Sequence, residues 1–301
     1  MKRILITGAD SYVGTSVERY LLEYNGAQGR EHYRIDTISL LDETWKNYDL
    51  APYDTVFHVA GIAHADVGKV SEETKALYYQ VNRDLALETA EKAREQGVKQ
   101  FIYMSSIIIY GESAPVGSKK HITRQTLPSP ANFYGDSKWQ AEEGLRRLET
   151  DSFHVAVLRP PMIYGKGSKG NYPVLSKLAG KLPVCPAVIN QRSMLYVENL
   201  AEFVRLLIDD GRGGIFYPQN AEYTVTAEMI RMIAQVKGKQ VRLWPILNPL
   251  LAVAARLPGK PGGLLNKAFG NLTIDQGLSR EVFDGYQVYS LEQSIHRTER
   301  Q

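Results

Sequence analysis

At 301 residues, 33.8 kDa and 44% hydrophobic, the chain can bury a sizeable core and suits one large α/β unit with a smaller appended lobe. A formal charge of +3 and a pI near 8.7 are too mild to imply nucleic-acid binding, and six scattered histidines lack metal-ligand spacing. The single cysteine, Cys185, excludes an internal disulfide or a cysteine-rich metal site, and its prolines, Pro183 and Pro186, suggest a buried loop residue.

The chain begins with a short apolar run, residues 3–6, that stops at Thr7-Gly8-Ala9-Asp10-Ser11-Tyr12-Val13-Gly14; a helix-like stretch, 15–24, follows. Strand, glycine turn and helix make the front of a dinucleotide-binding βαβ unit, where amides at the helix N-terminus face a pyrophosphate. Gly8 and Gly14 hold the outer places of a Gly-x-x-Gly-x-x-Gly pattern, and Ser11 stands at the middle one, adding a small polar side chain where the diphosphate would lie. The apolar run is too short for a signal peptide, so the cytoplasm is the expected compartment.

Further strands are expected at 33–40, 55–59, 100–104 and 153–158, alternating with helices at 72–96, stopped by Gly97, and 132–148. This alternation predicts an α/β fold, a Rossmann-type doubly wound parallel sheet covered on both faces. After Arg159-Pro160-Pro161 the pattern loosens into loops, and an apolar-periodic helix at 197–210 brings the chain back. The expected division is a nucleotide-binding domain of 1–160 plus 192–212 and a discontinuous substrate lobe of 161–191 plus 213–301. The hydrophobic stretch 243–257 is broken by Pro245, Asn248 and Pro249 and is too short to span a bilayer; packing inside the lobe is expected, with interfacial attachment beside Arg256 and Lys260 as the other reading.

Tyr134 and Lys138, four residues apart, fall on one face of the 132–148 helix, where an ammonium could favour the ionised phenol. Ser106 ends an apolar strand upstream. These residues are ordered along the chain with Thr7-Gly8 to Gly14, His58-Val59-Ala60-Gly61, Val81-Asn82, Ser105-Ser106, Leu158-Arg159-Pro160-Pro161 and Arg192-Ser193-Met194-Leu195-Tyr196-Val197. Over nearly its whole length the chain resembles the extended short-chain dehydrogenase/reductase family, in its nucleotide-sugar epimerase/dehydratase branch, with UDP-glucose 4-epimerases and the C4 enzymes of UDP-linked amino sugars for surface polysaccharides nearest.

The resemblance implies that Tyr134 exchanges a proton with a sugar hydroxyl, that Ser106 hydrogen-bonds the same oxygen, and that Lys138 holds the nicotinamide ribose. It implies an NAD site, NADP not excluded, formed by Gly8, Asp10, Ser11, Tyr12, Val13, Gly14, Ala60, Gly61, Tyr134 and Lys138. Arg192 and Asn171 match residues that meet the substrate diphosphate, and Asn82 matches an architectural position. A UDP-sugar partner, no metal and a possible homodimer through helices 72–96 and 132–148 complete the expectation. In the family's 4,6-dehydratases an Asp-Glu pair follows the hydroxyl residue; here Ile107 and Ile108 stand there and cannot move protons, so oxidation, reduction or epimerisation at C4 remains.

The chain also departs from the pattern. Met162 replaces an asparagine, and the segment that closes the uridine site is not evident, with Asn271 to Asp275 and Arg280 as candidates. Asp36 and Asp42 compete for the adenosine-ribose position with Ser39 between them, and Ser39 there would tolerate the NADP phosphate. Three readings stay open: a UDP-sugar 4-epimerase that keeps its NAD, an NAD(P)H-dependent reductase of a UDP-4-keto-6-deoxy amino sugar, and a dinucleotide-sensing binding protein without turnover.

Overall fold

The computed structural model describes residues 1–63 and 70–300, which divide into two compact units. The first comprises Met1–Gly111, Leu127–Pro160 and Leu200–Pro218; the second comprises Glu112–Thr126, Pro161–Asn199 and Gln219–Gln301.

In the first unit, β1 (Lys2–Thr7), β2 (Tyr33–Ile38), β3 (Thr55–His58), β4 (Gln100–Met104), β6 (His154–Leu158) and β10 (Gly214–Phe216) form a six-stranded parallel sheet in the order β10-β6-β4-β3-β1-β2. Ile4, Leu5 and Ile6 are all buried, as a strand covered on both faces requires. Around the sheet lie α1 (Tyr12–Gln28), α2 (Glu72–Tyr79), α3 (Leu85–Glu95), α4 (Phe133–Arg146) and the part of α6 (Val197–Asp210) from Leu200 onward. One core joins Leu5, Val56, Phe101, Tyr103, Val155 and Val157 of the sheet to Ala86, Ala90, Ala93, Ala141 and Leu145 of α3 and α4. Alanines on the inner helix faces let these helices pack closely against the larger strand side chains. The chain leaves β1 towards β2 on one side and reaches β3 on the other, so a topological switch point lies at the C-terminal ends of β1 and β3.

The structure differs from the sequence expectation in several places. The edge strand β10 was not expected; it pairs with β6, Ile215 opposite Val157, and so puts 213–218 in the first unit. Residues 112–126 and 192–199 belong instead to the second unit, where β5 (His121–Ile122) pairs β12 (Thr273–Ile274) and β7 (Met162–Tyr164) pairs β9 (Met194–Tyr196). The expected single helix 72–96 is α2 and α3 joined by a π-helical turn, Gln80–Asp84, and the extra residue rotates Asn82 inward. The Asn82 amide donates to the Ile62 carbonyl (3.1 Å) and Ser137 Oγ (3.2 Å), and its Oδ1 accepts from Ile62 N (2.8 Å).

The second unit also contains the parallel pair β8 (Val184–Pro186) and β11 (Arg242–Trp244), with helices α5 (Asn171–Ala179), α7 (Thr226–Val236), α8 (Asn248–Ala254), α9 (Lys260–Phe269), α10 (Gly277–Arg280) and α11 (Leu291–Glu299). Buried Gln219 ties it together, accepting from Ser193 Oγ (2.6 Å), donating to Ser279 Oγ (2.9 Å) and offering its carbonyl to the Tyr286 hydroxyl (2.6 Å). Cys185 is buried on β8, and burial pushes its thiol up to about 11, which leaves it unreactive near neutrality. The stretch 243–257 does not pack inside as expected. Leu251 and Ala255 are buried, whereas Ile246, Leu250, Val253 and Leu257 face solvent. Among the described residues no helix is long and apolar enough to cross a membrane.

Candidate active site

The C-terminal ends of β1 and β3 approach so closely that side chains are excluded there. Gly8 has φ +88°, and a Cβ on it would lie 3.0 Å from the Ala60 nitrogen. A Cβ on Gly14 would lie 2.6 Å from Ser11 Oγ and 3.0 Å from a Val59 methyl. Ser11 does not project from the turn as an extra polar group. Its Oγ accepts from Gly14 N (3.0 Å) and caps α1. The first-turn amides of Tyr12 and Val13 then open the helix, where no intrahelical acceptor exists for them. Asp10 is exposed beside them, and Ala60 and Gly61 follow β3. A glycine-lined cradle at a helix N-terminus fits the diphosphate of a dinucleotide.

Beyond β4, Ser106 Oγ accepts from Ile108 N (3.2 Å) and caps the short 3-10 turn Ile107–Tyr110. Asn132 caps α4 by accepting from Gly135 N (3.0 Å). Gly135 is where α4 meets that turn, since a Cβ there would lie 2.8 Å from the Ile108 carbonyl oxygen. This close approach brings the Ser106 hydroxyl near enough to the Tyr134 phenol to favour its ionised form. One turn along α4, Lys138 is buried, donating to the Met104 carbonyl (2.9 Å) and lying 4.8 Å over the Tyr103 ring. A Cβ on Gly61 would lie only 3.1 Å from Lys138 Nζ, so that glycine keeps space at the ammonium.

Burial pushes the Tyr134 phenol up to about 12, the Ser106 hydroxyl opposes the rise, and Tyr78 adds to it. The Lys138 ammonium is directed at the Met104 carbonyl (2.9 Å). Burial pushes Lys138 itself down to about 8, against the pull of Glu142. His58, held by Thr7 Oγ1 (3.0 Å) at Nδ1, is pushed down to about 3 by burial and by Lys138, so it is neutral.

Glu142 is the site residue that the sequence reading missed. It is fully buried, accepts from Ser105 Oγ, and pairs with Arg159 through Nη2 (2.5 Å) and Nε (2.9 Å). Arg159 Nη1 continues to the hydroxyls of Tyr110 (2.5 Å) and Tyr217 (2.8 Å). The network underpins the serine pair, and its carboxylate, Glu142, favours the charged form of Lys138. Its signal was available, since Tyr134, Lys138 and Glu142 repeat every four residues along one helical face.

The substrate-side candidates lie in the second unit. Arg192 is pushed down to about 10 by burial; its Nη1 donates to the Gly270 carbonyl (3.1 Å) and Ser113 Oγ (3.3 Å), and among the described residues no carboxylate pairs with it. A desolvated cation satisfied only by neutral groups suits an incoming anion. Asn171 is exposed at the first position of α5, and the cap is Gly170 at φ 95°. Two of the uridine-closing candidates have other work. Asn271 bonds Gln191 N (2.7 Å) and the Ser118 carbonyl (2.6 Å), and Asp275 accepts from Gly277 N (2.9 Å). Asp36 sits within β2 under the Tyr53 hydroxyl (2.9 Å), Asp42 caps the turn at Thr44 N (2.9 Å), and Ser39 is the residue that follows β2.

The model of the NAD dependent epimerase/dehydratase family matches residues 4–217. The UDP-glucose 4-epimerase of Vibrio cholerae is 29% identical over 99% of the chain and 94% of its own length. The N-acetyl-alpha-D-glucosaminyl-diphospho-ditrans,octacis-undecaprenol 4-epimerase of Escherichia coli O157:H7 is 32% identical over 70% of the chain and 64% of its own length. Among solved structures, the UDP-glucuronic acid 4-epimerase of Bacillus cereus in complex with NAD superposes with a TM-score of 0.71 at 15% identity, covering 99% of this chain and 95% of that one. At that identity the likeness shows the fold alone.

Proposed function

The chain belongs to the NAD-dependent epimerase/dehydratase family, and we propose that it is a C4 epimerase of a diphosphate-linked hexose or N-acetylhexosamine, with a UDP-sugar as the first substrate to test. The observation that carries this reading is the Tyr134 phenol, close enough to Ser106 to feel its hydroxyl, one helical turn from buried Lys138, with no acidic residue after Ser106 to eliminate water.

When bound in the glycine cradle, nicotinamide would supply a hydride acceptor and then a hydride donor. Tyr134 would take the C4 hydroxyl proton while C4 gives up its hydride, leaving a 4-keto sugar. After the keto sugar turns its other face, the same phenol would return the proton as the hydride comes back, so each transfer balances. Ser106 would hold the sugar oxygen on line with the phenol. A phenol at about 12 is mostly protonated near pH 7, and about 7 kcal/mol of stabilisation separates it from a working base. The positive charge of the oxidised ring, together with Lys138 turned from the Met104 carbonyl to the nicotinamide ribose, would supply it.

Arg192 would meet the diphosphate. Its fork reads phosphate oxygens, so it serves a uridine carrier or a polyprenyl carrier equally. The structural employment of Asn271 and Asp275, two of the uridine-closing candidates, favours giving the polyprenyl-diphosphate substrate of the 32% identical relative a place beside UDP-sugars in assays. Ser39 after β2, without a carboxylate there, would admit NADP as well as NAD.

Tyr134→Phe tests the reading. We expect it to bind dinucleotide as the wild type does and to lose at least about a hundredfold in turnover. Full activity in this variant would remove the phenol from the chemistry, and a wild type that binds dinucleotide but turns over no sugar would favour the sensing protein.

A further inference from the structure

We infer that the face formed by the β11–α8–α9 segment of the second unit docks on an anionic lipid bilayer, lying in its interface without crossing it. Of the large apolar side chains that are exposed among the described residues, six fall between Trp244 and Leu264: Trp244 45%, Ile246 77%, Leu250 67%, Val253 63%, Leu257 54% and Leu264 63%. They are organised. Ile246, Leu250, Val253 and Leu257 are spaced by four, three and four residues along a 3-10 turn, α8 and the turn that follows it, one stripe, while Leu251 and Ala255 on the opposite row are buried. Helix α9 packs against α8 and presents Leu264 and, one turn on, Lys267. Ile189, 89% exposed, follows Ala187, whose carbonyl accepts from the Asn248 amide (3.2 Å) at the start of α8.

Charge selects the occupant. Residues 229–274 contain seven Lys or Arg and no Asp or Glu, which leaves 29 basic against 33 acidic residues elsewhere, so the rest of the chain is net negative. Three of the seven are engaged within the protein, Arg231 with Glu228 (2.6 Å), Lys237 with Glu299 (3.1 Å) and Lys239 with the Gly180 carbonyl (2.5 Å). Arg242, Arg256 and Lys267 are exposed around the apolar stripe; the side chain of Lys260 lies outside the described residues. An apolar strip whose own segment carries cations and no carboxylate disfavours a second copy of itself, because a two-fold contact would set cations against cations. Anionic headgroups complement the border, the acyl boundary takes the stripe, and Trp244 has the amphipathic ring suited to that depth. No helix among the described residues is long enough to span, consistent with a face that lies flat. The inference stands apart from the reaction proposed above.

The test is flotation of the full chain with vesicles of equimolar phosphatidylglycerol and phosphatidylcholine, and with phosphatidylcholine alone, for the wild type and for Leu250→Ser/Val253→Ser/Leu257→Ser. These positions are exposed and outside the catalytic machinery, and circular dichroism with dinucleotide binding checks that the variant is folded. We expect the wild type to float with the anionic vesicles, at least about tenfold more weakly with the neutral ones, and the triple variant to remain unbound while keeping its dinucleotide affinity. Absence of wild-type binding, or equal binding of the triple variant, overturns the inference. A wild-type dimer that the triple variant converts to monomer, with no flotation of either, assigns the face to a second copy.

Discussion

Replacing Lys138 by methionine should make the protein more stable while ending its catalysis. Burial pushes the ammonium from 10.5 down to about 8. At about 1.4 kcal/mol per pKa unit, keeping that charge inside costs the native state about 3 kcal/mol at pH 7. The sign follows from proton counting. Between pH 8 and 10.5 an unfolded lysine holds its proton and the native one does not, so wild-type stability rises with pH through that window, and the full penalty applies below it. Methionine removes the charge at similar length but strips the Met104 carbonyl of its 2.9 Å donor, a loss of about 1 kcal/mol. The net gain at pH 7 is then about 2 kcal/mol, and it shrinks towards pH 10 as the wild-type penalty is relieved. Urea unfolding of both proteins without added cofactor, at pH 7 and pH 10, measures it. A variant that is less stable than the wild type at pH 7, or a difference that does not change with pH, would refute the reasoning.

Other perturbations separate the parts of the site. Arg192→Met should leave dinucleotide binding untouched and raise the substrate KM by roughly tenfold or more, since it deletes a charged fork worth about 1.5–3 kcal/mol to a phosphate; steady-state kinetics with a dinucleotide titration decide it. Glu142→Gln should destabilise by about 3–5 kcal/mol, because it strands the Arg159 guanidinium inside the first unit, and denaturant unfolding reads this directly. Gly8→Ala forces a side chain into a φ of +88° and to within 3.0 Å of Ala60 N; a fluorescence titration should show dinucleotide affinity down at least about tenfold. Ser39→Asp places a carboxylate after β2, and the NADP-to-NAD affinity ratio should fall at least about tenfold.

Much of the first unit was legible from residue pattern alone. The runs at 3–6, 55–59 and 100–104 are continuous and apolar because their strands are buried on both faces, and turn residues mark their ends. Strand β10 escaped because three residues after Gly213 have no pattern of their own and become a strand only by pairing with β6. The break in helix 72–96 escaped for a similar reason, since the π-turn is set by where Asn82 finds Ile62 and Ser137. Spacing put Tyr134 and Lys138 on one helical face, but the direction of the ammonium depended on a carbonyl at the end of β4, 34 residues away in sequence. Hydrophobicity in 243–257 was visible without its direction, because solvent, core and lipid faces share one composition.

The central claim is most directly tested by a proton NMR time course of the purified protein with UDP-N-acetylglucosamine and UDP-glucose, adding no cofactor and following the C4 configuration. Appearance of the galacto-configured sugar is the expected result and would establish an epimerase that carries its own dinucleotide. No conversion of either sugar, with or without added NAD, together with turnover of a UDP-4-keto sugar on supplying NAD(P)H, would contradict it and make the chain a one-way C4 reductase.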